Sequence, residues 1–112
     1  MAGKQTRQIN KFRSLFPATI NVKVERSRDG GFVARINTFA GCITQADSFS
    51  ELIEMVNDAI RTYFEVPVEL IAYMPTYLPS VHAAQILDVF PVKQQQAEIK
   101  WALPTSREVI SS

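Results

Sequence analysis

Cysteine and histidine each occur once in the 112 residues, at Cys42 and His82. A lone cysteine has no partner for an intrachain disulfide, so a reducing compartment is the simpler reading. His82 has no cysteine or acid at ligand spacing, which argues against a metal centre or a histidine-dependent triad. No stretch approaches the roughly 18 apolar residues of a membrane span, and Met1–Asn10 has no apolar run of the kind a secretory signal carries. Neither a P-loop nor a GxGxxG motif is present, and Gly30-Gly31 alone is a turn signal rather than a phosphate cradle. These absences predict a soluble, cytoplasmic protein that needs no cofactor and is not an enzyme.

Acid is missing from the first 24 positions, which hold Lys4, Arg7, Lys11, Arg13 and Lys23. The rest of the chain carries seven basic and eleven acidic residues, so a net charge of +1 hides a basic start on an acidic body. Lys4, Arg7, Lys11 and Arg13 are therefore candidate nucleic-acid contacts. The bland alternative is a solubilising, disordered terminus. Met1 to Phe16 shows little periodicity, although Phe12, Leu15 and Phe16 can hook onto the body or a partner, and Pro17 ends any helix there.

What is present becomes regular from Thr19. Ile20, Val22 and Val24 alternate with Asn21, Lys23 and Glu25, the period of a half-buried strand. Asp29-Gly30-Gly31 then supplies residues that tolerate a tight turn, and Phe32, Ala34 and Ile36 alternate on the way back, so a hairpin is predicted. Gly41 marks a bend or bulge, and Cys42–Ala46 is a short third strand. Ser48-Phe49-Ser50-Glu51 fits a capping box, with Asp47 beside the positive end of the helix that follows. Phe49, Leu52, Ile53, Val56, Ala59, Ile60, Tyr63 and Phe64 recur at steps of three and four. Ser50, Glu51, Glu54, Asn57, Asp58, Arg61 and Glu65 take the other side. Pro67 stops this helix, whose one apolar face needs the preceding sheet.

Val68–Met74 reads as a fourth strand, with Val68, Leu70 and Ala72 on one side. Pro75 and Pro79 bracket a loop, and Gln85–Val92 is strand-like. Lys93–Leu103 stays open: Ala97, Ile99, Trp101 and Leu103 alternate as in a strand, yet QQQAEIKWA also has good helix propensity. Thr105–Ser112 reads as a loose end. The pattern predicts an α+β fold, with an antiparallel three-stranded meander, one amphipathic helix and a fourth strand (β-β-β-α-β). Residues 1–17 form a basic arm, 18–75 the core domain and 76–112 a C-terminal extension. Its apolar segments exceed what that core needs, so the extension is available for subunit assembly.

Asp29-Gly30-Gly31-Phe32-Val33-Ala34, Gly41-Cys42, Thr44, Asp47-Ser48, Glu51, Ala59 and Ile60 resemble, in order and spacing, the HicB-like antitoxin family, over about residues 20–66. Ser48 stands for the family's threonine, Ser50 for the first of its paired glutamates, and Leu52 for its usual alanine. Asn37-Thr38-Phe39-Ala40 lacks the proline common before the glycine. The resemblance implies a partial RNase H-like fold. It also implies a cytoplasmic antitoxin of a type II toxin-antitoxin system that binds a small RNA-cleaving toxin of double-stranded-RNA-binding fold. Many members also carry a helix-turn-helix or ribbon-helix-helix. Neither is found in residues 76–112, where two clean consecutive amphipathic helices are lacking, so operator DNA binding is not expected. The alternative is an orphan member without a toxin, acting as a homo-oligomer (dimer or higher) on an unknown ligand.

An RNase H-like fold raises the question of two-metal nuclease chemistry, which needs clustered carboxylates. Asp29, Asp47, Glu51, Glu54 and Asp58 are more simply read as turn, cap and solvated-face residues, so no catalytic or metal residue is assigned. Cys42 is read as a small buried thiol rather than a nucleophile. Trp101 is a candidate partner-interface residue, since tryptophan is enriched at binding hot spots, and equally a candidate plug for the core.

Overall fold

The computed structural model describes residues 2–80 and 96–103. Its elements run α1 (Ala2–Arg13), β1 (Thr19–Arg26), β2 (Phe32–Ile36), β3 (Ile43–Ala46) and α2 (Phe49–Tyr63). A 3-10 helix (Val68–Tyr73), β4 (Leu78–Pro79) and β5 (Gln96–Ala102) follow. The five strands form one sheet in the order β3-β2-β1-β5-β4, and every neighbouring pair is antiparallel. The fold is α+β, with β1–β2–β3 as the predicted meander and α2 packed on β3 and β2.

Alternation sets which side faces the core. Ile20, Val22 and Val24 on β1 and Phe32, Ala34 and Ile36 on β2 are buried, as the period of two requires. Across the β1–β5 pair, Ile20 lies opposite Trp101 and Val22 opposite Ile99, so one apolar row crosses the middle of the sheet. Leu52, Val56 and Ile60 of α2 are fully buried against this surface, one helical turn apart. Phe49, Ile53, Ala59 and Phe64 flank that line partly buried. Phe64 also meets Phe16 and Phe39, with ring centroids 5.0 and 5.1 Å away.

The hairpin turn uses its two glycines for different reasons. Gly30 has φ 95°, a left-handed conformation that an L side chain rarely adopts. Gly31 has ordinary φ but sits where a Cβ would lie 2.9 Å from the Ala46 carbonyl oxygen. The turn is closed by Ser27 N donating to Gly31 O at 2.8 Å and Gly30 N to Ser27 O at 3.0 Å.

Several expectations are corrected. Val68–Met74 is not a strand. Leu70 N donates to Pro67 O at 2.9 Å and Met74 N to Ile71 O at 3.0 Å, the i to i−3 pattern of a 3-10 turn. Only Leu70 and Met74 of this run are buried, a helical step apart, while Val68 and Tyr73 are exposed. The strand beside β1 is instead β5, which settles the open Lys93–Leu103 segment as strand over Gln96–Ala102. The segment read as an extension therefore supplies two of the five strands, and the core crosses the expected 75/76 boundary. The strand expected over 85–92 and His82 lie outside the described residues. The N-terminal arm is the helix α1, with Ile9 and Phe12 packed against the core and Phe16 buried in it, whereas Leu15 stays exposed.

Candidate functional site

The hairpin and the start of α2 meet at a cleft of about 360 Å³, lined by Ser27, Asp29, Gly31, Gln45, Asp47 and Glu51 among others. Its acids are engaged locally. The Asp29 carboxylate accepts from the Ser27 hydroxyl and, at 3.3 Å, from Gly31 N. These bonds, the serine first, hold its carboxyl below the ordinary carboxylate range. At the helix start, Ser48 Oγ accepts from Glu51 N at 3.2 Å. The Glu51 carboxylate accepts from Asp47 N at 2.6 Å, one residue further back than the simplest capping box. Beside them, the Arg26 guanidinium lies 4.6 Å over the Phe32 ring. Among the described residues, no group of three or more His, Cys, Asp or Glu is placed to hold a metal ion. Turn and cap geometry thus accounts for Asp29 and Glu51.

Glu51, Glu54 and Asp58 are all exposed on α2 at steps of three and four, so one side of this helix is an acidic stripe. A second hollow of about 460 Å³ opens beside it, lined by Glu54, Met55, Asn57, Asp58, Arg61 and Thr76 among others. Arg61 Nη2 donates to Thr76 Oγ1 at 3.1 Å across its rim. Asn57 departs from the predicted polar face, being only 3% exposed. Its Nδ2 donates to Ile53 O at 2.8 Å and Tyr77 O at 3.0 Å, and its Oδ1 accepts from Tyr77 N at 2.6 Å. A carboxamide with every hydrogen and one lone pair engaged can be buried without penalty, and periodicity alone does not reveal that.

The side of the sheet away from α2 is polar. Glu25 and Arg35 form an ion pair at 3.2 Å, and Asn37 Nδ2 donates to Glu98 Oε2 at 2.9 Å. At its margin, the edge strand β3 carries Ile43, which is 53% exposed.

Lys4, Arg7 and Lys11 are exposed on α1, and at that spacing they share one face. Arg13 parts company with them, its Nη1 donating to Tyr73 O at 2.7 Å and so tying α1 to the 3-10 helix. Trp101 is corrected. It is fully buried opposite Ile20 and next to Pro79, so it plugs the core and offers no surface to a partner. Its indole N–H has no hydrogen-bond partner among the described residues. Cys42 is buried just before β3, and burial pushes its thiol up in pKa, away from the thiolate a nucleophile needs. No described helix is long and apolar enough to cross a membrane.

Over 45 residues the chain is 42% identical to the UPF0150 protein of Archaeoglobus fulgidus. That stretch is 40% of this chain and 65% of the relative, whose name states no activity. No family model matches the chain, and no solved structure matches it.

Proposed function

We propose that the protein is a non-catalytic binding protein of the HicB-like antitoxin kind, a partial RNase H-like body that neutralises a small RNA-cleaving toxin by covering it. One observation carries the reading. The residues of the resemblance, Asp29 to Ala34, Gly41-Cys42 and Asp47 to Glu51, form one continuous unit whose spacing has a physical cause. Gly31 must lack a Cβ for the turn to pass Ala46 O, and Glu51 caps the helix that packs behind it. The acidic stripe of Glu51, Glu54 and Asp58 beside this unit suits a toxin that handles RNA, because RNA-binding surfaces are basic.

The test is expression of the neighbouring reading frame for a short basic protein, alone and together with this chain. Arrest of growth by the neighbour alone, rescue by this chain and co-purification of the two are expected. An absent neighbour or absent rescue removes the reading. A second reading, an orphan homo-oligomer, is favoured by β3, which no described strand pairs on its outer side, and by its exposed Ile43. A dimer on light scattering that persists without any toxin gene selects it.

A further inference from the structure

We infer that α1 is a docking surface for the phosphodiester backbone of a nucleic-acid duplex, with Lys4, Arg7 and Lys11 as the contacting residues. The sequence marked these lysines and arginines as a group, and the fold gives them an arrangement. α1 is a 12-residue helix with no acid in it. Ile9 and Phe12 pack against the core, which fixes how the helix is turned. At about 100° per residue, Lys4, Arg7 and Lys11 then fall together within a narrow arc on the side away from Ile9 and Phe12. All three are exposed, and none makes an ion pair with a described residue.

Charge and geometry select the occupant. The three charges span about 10 Å of helix, and a duplex presents one phosphate charge per roughly 1.7 Å of axis, so each cation finds a phosphate without distortion. An anionic membrane surface fits less well. A basic amphipathic helix binds lipid by burying its apolar face, and here Ile9 and Phe12 are already committed to the core. The surface is backbone-reading. It needs no recognition motif and predicts no sequence preference. It stands apart from the antitoxin reading, since toxin neutralisation uses the hairpin and α2 and survives if α1 binds nothing.

Fluorescence anisotropy of the full chain tests this with labelled DNA and RNA duplexes of one sequence. Three phosphate contacts predict a slope of about −2.7 in log K against log salt, a loss of roughly 500-fold between about 20 and 200 mM salt. K4Q/R7Q/K11Q, which keeps helix-forming residues at all three positions, is expected to abolish binding while leaving the far-ultraviolet circular dichroism unchanged. If that triple variant loses helix, Arg7→Gln alone is expected to reduce the slope by about 0.9 and R7K to leave it in place. Binding of both duplexes confirms a backbone contact, and binding of one identifies the nucleic acid. No duplex binding, a slope near zero, or full affinity in the triple variant overturns the proposal. So does salt-sensitive self-association or capture by phosphatidylserine vesicles without duplex binding, because the face then belongs to a second copy or to lipid.

Discussion

Asn57 and Tyr77 grip each other reciprocally. The Asn57 carboxamide donates to the Tyr77 carbonyl at 3.0 Å, and the Tyr77 amide donates back to Asn57 Oδ1 at 2.6 Å. This side-chain-to-backbone pair holds the Thr76–Pro79 segment, and with it β4, against α2. Tyr77 extends the clamp by donating its hydroxyl to Pro17 O at 2.5 Å, so the connection between α1 and β1, the middle of α2 and the start of β4 share one junction.

Asn57→Ala is expected to cost about 2–4 kcal/mol, because it leaves a buried amide N–H and a buried carbonyl unpaired at once. Urea denaturation reads this as a lowered midpoint with an unchanged slope. A loss below about 0.5 kcal/mol would show that water takes over both groups.

Tyr77 makes stability depend on alkaline pH. Burial pushes its phenol up to about 12 in the folded chain, against an ordinary value of about 10 when unfolded. A raised folded pKa means the folded state holds its proton longer than the unfolded one. The contribution is therefore complete below about pH 10 and is lost as pH rises from about 10 to about 12. Denaturation midpoints across that window should fall more steeply for the natural chain than for Tyr77→Phe, which has no phenol to ionise.

At the hairpin, Gly30→Ala and Gly31→Ala are both expected to destabilise, by about 1–3 kcal/mol each, for separate reasons. The first strains a backbone at φ 95°, and the second drives a methyl group into the Ala46 carbonyl. Gly3→Ala meets nothing within 4 Å in α1 and should be neutral or slightly stabilising, by up to about 1 kcal/mol. Thermal melts of the three variants give the ranking directly.

Trp101 separates packing from recognition. Trp101→Ala is expected to cost about 3–5 kcal/mol by opening a cavity against Ile20. Trp101→Phe should cost far less than that truncation, since the indole N–H it removes makes no hydrogen bond to any described residue. Partner binding by folded Trp101→Phe should match that of the natural chain, and a selective loss would restore an interface role.

Much of this fold is legible in the residue order, for identifiable reasons. β1, β2 and α2 each bury one face against a neighbour close in sequence, so a period of two or 3.6 survives in the residue order. Val68–Met74 misled because Val68, Leu70 and Ala72 alternate, whereas the burial follows Leu70 and Met74, and Val68 is 81% exposed. β5 stayed ambiguous because its partner β1 is remote and its helix-prone residues are overridden by that pairing. α1 goes unread in the sequence although Ile9, Phe12 and Phe16 stand at helical steps, with Lys11 and Arg13 between them and Lys4 and Arg7 before them. For the candidate site, the turn role of Asp29 and the cap role of Glu51 are legible in the sequence, because those roles are local. Asn57 is misplaced on the polar side and Trp101 stays open between interface and core, because the burial of each depends on a distant segment.

The place of β1 in the sheet also bears on how the molecule is made. One of its edges is taken by β2, a few residues downstream, and the other by β5, drawn from the far end of the described chain. During synthesis the meander and α2 emerge together, while the second edge of β1 waits with Ile20, Val22 and Val24 beside it. An unpaired strand at the middle of a future sheet is a template for any extended segment nearby. The nascent chain therefore passes through an interval in which its own β5 competes with extended segments of its neighbours, and the yield of native protein should fall as the concentration of unfinished chains rises.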